Sequence, residues 1–437
     1  MKTTNVKMRS KNRVQIIALT LLLALSSHIS SAQKRDSLDI KIGQMILIGF
    51  PKAAVDPQVL REIRDGKVGS IIIFEKNIPS KNSFVELKKI IWTYQKAAPI
   101  PLLISIDQEG GKVNRLKDKY GFPRSITAEA MGKANSLDSV RFYAEATAAT
   151  LAGLGINVNF APVVDLAANP SNPVIVKNGR AFSNNEDSVA LLAKEFIIQH
   201  RKYGVLTSLK HFPGHGSSVA DTHLGMADVT QTWKDRELHP YEKLIAEGYA
   251  DAVMSAHIVN RNLDKAGRPG TLSSEILDGI LRKRLNFDGL VFSDDMQMHA
   301  ITKHYGLEEA IKLAINAGID IMTFSNNITG SEERTVDKVH GIIKKLVASG
   351  EIKEERINES YRRIMRVKNR LAADEPTANL QRNIYTLQER TESLEDEIAD
   401  LKKQLETLAA KATATSEQTA APDQEKPGKK RKKNKKK

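Results

Sequence analysis

Five places in this 437-residue chain put a chemically active side chain directly behind an apolar run: Asp107, Asp165, Lys210 with His211, His257, and Asp294 with Asp295. The densest stretch is Lys210-His211-Phe212-Pro213-Gly214-His215-Gly216, followed by Asp221-Thr222-His223. A carboxylate two residues from an imidazole can fix the ring, stabilise its protonated form and keep its titration useful near neutrality, which suits Asp221 and His223 to acid/base work. Asp294, in Phe292-Ser293-Asp294-Asp295-Met296, has the placement of a carboxylate nucleophile. Burying such groups without partners is costly, so they are expected to pair with one another. Two other readings compete. His211, His215 and His223 could converge on zinc, but Lys210 repels a cation and Gly and Pro break the helix that usually fixes such spacing, so no metal is expected. The histidines could also serve only as separate structural hydrogen-bonding groups.

The elements that must position these residues are legible in the apolar pattern. Runs at Gln44–Phe50, Gly69–Phe74, Leu102–Asp107, Ile156–Pro162, Leu206–Lys210, Ala252–Ala256, Gly289–Ser293 and Asp320–Phe324 are rich in Ile, Val, Leu and Phe with little alternation, as in parallel strands covered on both faces. Amphipathic stretches such as Val140–Leu154, Ser188–Tyr203, Tyr241–Gly248 and Leu307–Gly318 supply crossover helices, and Val336–Ser349 and Glu354–Leu371 finish the domain. Eight βα units predict an α/β fold of the (β/α)8 TIM-barrel type, with an open doubly wound sheet as the alternative. In a barrel the strand ends converge on one mouth, where the residues above would meet.

The formal charge of +14 is concentrated at the two ends. Residues 1–32 carry five Lys or Arg, residues 426–437 carry nine, and neither stretch has an acid, so the rest of the chain is neutral. Nucleic-acid binding by the folded body is therefore not expected. Five cations, an apolar run from Ile16 to Leu25, and Ser30 and Ala32 read as a secretory signal over 1–32, which predicts export to the periplasm or cell envelope. With no Cys there is no disulfide, thiolate or acylated anchor. Leu380, Leu387, Leu394, Leu401 and Leu408 recur every seven residues, with Ile384, Thr391, Ile398 and Leu405 between them. This pattern predicts a coiled coil over 378–411 and self-association, unless the helix packs on its own barrel. The polar, Lys-rich stretch 412–437 is expected to be disordered, either contacting anionic envelope surfaces or serving as a solubilising tail.

Over residues 38–371 the sequence resembles the bacterial β-N-acetylhexosaminidases of glycoside hydrolase family 3. The segments that carry the resemblance are Ile106-Asp107-Gln108-Glu109-Gly110-Gly111 with Arg115, Ala161-Pro162-Val163-Val164-Asp165, Gly179-Arg180-Ala181-Phe182, Lys210 to Gly216, Asp221-Thr222-His223 and Ser293-Asp294-Asp295-Met296, in that order. It implies hydrolysis of terminal β-linked N-acetylglucosamine through a glycosyl-enzyme on Asp294. His223, steered by Asp221, would be the acid/base where most glycosidases use a second carboxyl group. Asp107, Arg115, Arg180, Lys210 and His211 would hold the sugar, Asp165 and Asp295 would support them, and His257 would line the pocket. Neither cofactor nor metal is implied.

Departures from the family pattern are Lys112, where Arg is frequent, and Thr222, where Ser is common. Export shifts the expected substrate toward peptidoglycan fragments outside the cytoplasm. No second α/β domain follows the barrel, so the catalytic groups are expected from one domain. Two further functions stay open: transfer of the sugar to phosphate, and a non-catalytic wall-binding scaffold built on the coil and tail.

Overall fold

Branched apolar residues run without polar alternation through Ile46–Gly49 (β1), Ser70–Ile73 (β2) and Leu103–Ile106 (β3), and every one of these side chains is buried. Such strands need cover on both faces. In the computed structural model, which describes residues 37–220, 225–327, 336–373 and 397–407, that cover comes from barrel closure. The further barrel strands are Val158–Asn159 (β4), Leu206–Phe212 (β5), Ala252–Ser255 (β7), Leu290–Asp295 (β9) and Ile321–Phe324 (β10). All eight pair in parallel in the order β1, β10, β9, β7, β5, β4, β3, β2, and β1 pairs with both β10 and β2. The expected barrel is therefore found, not the open sheet. Ala227–Asp228 (β6) and Ile258–Val259 (β8) form a separate two-stranded parallel sheet that the apolar pattern had not suggested.

Helices between the strands supply the outer layer, and their ends follow local chemistry. Ser136 starts Leu137–Leu154 by accepting from Ser139 N, and Asn185 starts Glu186–Lys202 by accepting from Ser188 N. Each such cap is worth about 1 kcal/mol. Asp56 caps Pro57–Arg64, where Pro57 takes a first-turn position that needs no N–H donor. The stretch Glu275–Arg284, between β7 and β9, is π-helical.

The face opposite the mouth is tied by charge. Buried Asp320, just before β10, accepts from Arg282 (2.7 Å), Arg356 (3.2 Å) and Arg363 (3.4 Å). The last two lie on Glu354–Ala373, so this helix is bound to the start of a barrel strand. Buried Lys368 of the same helix donates to Gln44 Oε1 (2.6 Å) and Gly69 O (2.8 Å).

Two compact units divide the chain, residues 1–374 and 375–437. Within the second, residues 397–407 are helical, with Ile398, Leu401 and Leu405 exposed. The rest of the expected coil, the 1–32 signal and the 412–437 tail lie outside the described residues. Among the described residues no helix is long and apolar enough to cross a membrane.

Candidate active site

Both strands that carry the densest chemistry break register where that chemistry sits. In β5, Leu209 and Phe212 face Val253 and Ser255 of β7, so β5 gains one residue across Lys210 and His211. In β9, Phe292 and Asp295 face Ile321 and Thr323 of β10, so β9 gains one residue across Ser293 and Asp294. An extra residue breaks the in-out alternation of a strand and re-aims its side chains. The sequence pattern ended these strands at Lys210 and Ser293, whereas they extend to Phe212 and Asp295. Phe212, Ser255 and Ser293 lie at one level of the barrel wall, which puts both irregularities on the same rim. The Ala161–Pro162, Lys210–His211 and Phe212–Pro213 peptide bonds on this side are cis.

From β5, Lys210 reaches two carboxylates contributed by the loop after β3. Its Nζ lies 2.8 Å from Asp107 Oδ1 and 2.7 Å from Glu109 Oε1, while the side chain is only 2% exposed. Asp107 also accepts from Arg115 Nη2 at 3.1 Å, and Glu109 accepts from Arg180 through two nitrogens at 2.8 and 2.7 Å. Burial acts to raise both carboxyl pKa values, but the neighbouring cations outweigh it. Lys210 and Arg115 hold Asp107 below the usual range, and Arg180 and Lys210 hold Glu109 down at about 2. Both acids therefore stay ionised. Four of the five expected sugar-binding residues form one network: Asp107 joins Lys210 to Arg115, and Lys210 is joined to Arg180 by Glu109, which had been read only as part of a motif. Its signal in the sequence was its place two residues after Asp107, in a loop turned by Gly110. That glycine has φ +100°, and a Cβ there would lie 2.2 Å from Ile126 O.

His211, the fifth, is oriented by Asp165. Arg180 Nη2 lies 3.2 Å from His211 Nε2; because guanidinium only donates, Nε2 accepts and Nδ1 carries the hydrogen. Nδ1 donates to Asp165 Oδ2 at 2.7 Å. The same buried carboxylate accepts the backbone N–H groups of His211 (3.1 Å) and His215 (2.7 Å). Burial opposes ionisation of Asp165, yet the His211 and His215 interactions keep its pKa below the usual value. His215 is held at about 4 by burial and by His211, which keeps it neutral at ordinary pH.

Across the rim, the two adjacent aspartates of β9 have opposite surroundings. Asp294 is partly exposed and accepts from Asp295 N at 2.8 Å. Asp295 is buried, accepts from Gln297 N (3.1 Å), Ser325 N (3.2 Å) and the Ser325 hydroxyl, and is raised to about 6 by burial. The partly exposed carboxylate can meet a ligand, while the buried one organises backbone. His257 was expected to line the pocket, but it is fully buried, with Nε2 2.9 Å from Asp295 O and Nδ1 2.8 Å from Thr271 Oγ1. Both ring nitrogens meet polar groups inside the barrel wall, which explains the difference.

Glu237, from the short helix Asp235–Leu238, carried no motif and was missed. Its buried carboxyl accepts from Gly216 N (3.0 Å) and Ser217 N (3.3 Å), and burial raises its pKa to about 7. Thus the turn after Lys210 is gripped by Asp165 on one side and Glu237 on the other. Gly216 passes so close to Leu166 that a Cβ would lie 1.9 Å from its carbonyl oxygen. Asp221 and His223 lie outside the described residues. Among the described residues no group of three His, Cys, Asp or Glu is arranged to hold a metal ion.

A family model for the glycosyl hydrolase family 3 N terminal domain matches residues 37–367. The beta-hexosaminidase of Xylella fastidiosa (strain M23) is 36% identical over 285 residues, covering 64% of this chain and 82% of that protein. The structure of a family 3 β-N-acetylglucosaminidase from Paenibacillus sp. str. FPU-7 superposes with a TM-score of 0.72 at 35% identity, over 77% of this chain and 63% of that one. This chain thus spans under two thirds of the Paenibacillus protein. The β-N-acetylhexosaminidase of Beutenbergia cavernae DSM 12333 superposes with a TM-score of 0.69 at 27% identity, over 76% of this chain and 98% of that one. A parallel barrel, a rim of paired acids and cations, and a match across that whole barrel converge: this chain belongs to glycosyl hydrolase family 3 and is a glycosidase.

Proposed function

We propose that this chain is an exported β-N-acetylhexosaminidase that removes terminal β-linked N-acetylglucosamine, with peptidoglycan fragments as its substrates, by a retaining double displacement. The names of its relatives support the sugar. The observation that carries the site is the contrast at one strand end between Asp294, partly exposed, and its neighbour Asp295, buried. Asp294 attacks the anomeric carbon as the glycosidic C–O bond breaks, and His223, oriented by Asp221, gives its proton to the leaving oxygen. Water then returns a proton to His223 and attacks the same carbon, and the Asp294 carboxylate leaves. Imidazole does this without placing a second negative charge beside the ester. Asp107, kept ionised by Lys210 and Arg115, accepts from ring hydroxyls, Arg115 and Arg180 donate to hydroxyl and acetamido oxygens, and His211 accepts a hydroxyl hydrogen at Nε2.

Aryl N-acetylglucosaminide turnover tests this. Asp294→Ala is expected to lose roughly 10³-fold or more of kcat with the fold intact, and an unchanged rate would refute the assignment. Mass spectrometry of the products in phosphate buffer reads hydrolysis as free sugar and transfer to phosphate as sugar phosphate. Export rests on the 1–32 pattern and is tested by fractionating cells that express the full chain. Self-association through 378–411 is supported by the exposed Ile398, Leu401 and Leu405. It predicts a mass above that of one chain in sedimentation, reduced by Leu401→Asp. The Lys-rich tail then offers anionic envelope surfaces a paired contact.

A further inference from the structure

Asp294 sits at an extra residue in its strand, where the regular ladder to β10 is interrupted, so its aim depends on how residues 293 and 295 are held. On the β10 side, Ser293 Oγ accepts from Thr323 N (2.9 Å) and Ser293 O accepts from Thr323 Oγ1 (3.0 Å). The Asp295 carboxylate accepts from Ser325 and Gln297. On the β7 side, the Asp295–Met296 peptide, one residue beyond the one that follows Asp294, is met by a side chain: His257 Nε2 lies 2.9 Å from Asp295 O. A carbonyl oxygen only accepts, so Nε2 carries the hydrogen and Nδ1 faces the Thr271 hydroxyl 2.8 Å away, whose one hydrogen is shared with Ala256 O at 3.2 Å. Thr271 Oγ1 in turn lies 2.8 Å from Ser255 Oγ, and Ser255 is the register partner of Ser293. Ser255, His257 and Thr271 are all buried, so the chain of donors runs through the barrel wall and ends at the residue after Asp294.

We infer that His257 is a positioning residue for Asp294: with Thr271 and Ser255 behind it, the ring fixes the backbone of Asp295 and, through it, the aim of the adjoining Asp294 carboxylate at the anomeric carbon. This rests on Asp294 being the nucleophile. Orientation is what such a clamp supplies. A displacement of about 1 Å at a reacting atom costs on the order of 100-fold in rate, whereas residues across the rim that hold the sugar are untouched. A chain of single donors is also directional. With Nε2–H committed to Asp295 O, replacing the ring by an apolar group leaves that carbonyl buried and unpaired.

The experiment is covalent trapping with 5-fluoro-N-acetylglucosaminyl fluoride on the full chain, beside the inhibition constant for free N-acetylglucosamine. His257→Leu is expected to slow labelling by about 10- to 100-fold while that constant moves less than about twofold. His257→Gln, whose amide donates from nearly the same position as Nε2, should regain most of the rate, which a merely space-filling role would not produce. Thr271→Val keeps shape and removes the hydroxyl at Nδ1, and should slow labelling by several-fold if His257→Leu does not fold. The inference is overturned if the apolar variants label at the parent rate, or if His257→Gln is as slow as His257→Leu. Peptide mapping of the labelled parent keeps the two ideas apart: a label away from Asp294 refutes the nucleophile assignment itself.

Discussion

His211 Nδ1 donates to Asp165 Oδ2 across 2.7 Å, and the same carboxylate accepts the backbone N–H groups of His211 and His215. One buried acid from the segment that follows β4 thereby sets the path of the β5 turn, the tautomer of His211 and the face that ring shows to Arg180. The orientation of this side of the rim follows from the barrel wall.

Asp165→Asn tests that dependence. An amide nitrogen placed among three N–H donors cannot accept, and leaving them buried costs about 1–3 kcal/mol for each group that stays unpaired. The expected outcome is a loss of several kcal/mol in urea unfolding, with KM for an aryl N-acetylglucosaminide raised about 10-fold or more. An unchanged KM would remove His211 from the sugar grip.

Lys210→Met should be more damaging than its single charge suggests. Lys210 neutralises two carboxylates at once, and breaking a buried pair by removing one partner costs about 3–5 kcal/mol. Thermal melts should show a large drop that adding Glu109→Gln does not repair, because Glu109 is also the partner of buried Arg180. A melt unchanged in Lys210→Met would mean that Lys210 does not hold this side of the rim together.

Acid should unfold the protein partly through this rim. Glu109 is depressed to about 2 in the folded state, against an ordinary carboxyl value near 4.5. The folded form then binds fewer protons, so this contribution is complete above pH 4.5 and is lost as pH falls toward 2. Asp107, shifted in the same direction, adds to it. The parent's stability should fall over that window, and Glu109→Gln should flatten the fall. An unaltered slope in chemical unfolding at successive pH values would count against the assignment.

Glu237 has the opposite sign. Its folded value is raised to about 7, so between pH 4.5 and 7 the folded state holds a proton that the unfolded state releases, and stability falls as pH rises through that window. Glu237→Gln stays neutral and can still accept from Gly216 and Ser217 through its carbonyl. Relative to the parent it should gain stability between pH 5 and 8, on the order of 3 kcal/mol at most. A constant difference across those pH values would show that Glu237 does not titrate there.

Arg180→Lys is the conservative change expected to fail. A lysine cannot reproduce two parallel bonds to Glu109 and reach His211 Nε2 as well. A rise in KM of about 10-fold with kcat nearly kept is the expected pattern. A loss confined to kcat would argue that Arg180 acts on the reaction and not on the grip.

How much of this was legible beforehand varies by residue. The eight apolar runs and the residues that follow them were visible because a strand covered on both faces needs uninterrupted Ile, Val, Leu and Phe, and that demand is met within a few consecutive positions. Asp107, Lys210, His211 and Asp294 were thus located along the chain, and the family resemblance supplied their roles. Glu109 and Glu237 were not singled out, because nothing adjacent to either marks it as a partner of Arg180 or of a turn that begins at Lys210. The extra residues in β5 and β9 were also invisible. Register is a property of two strands, and each strand was read alone.

Local order therefore settled the eight barrel strands and which side chains stand near their ends. Only closure of the barrel decided who meets whom, joining Asp107 to Lys210 across 103 positions and Glu109 to Arg180 across 71. The reason is physical. Burial of apolar runs is scored residue by residue along the chain, whereas the pairing of charges depends on distances that exist only once β3, β4 and β5 share a wall, and a buried acid stays ionised where that wall brings it a cation, as it does for Glu109.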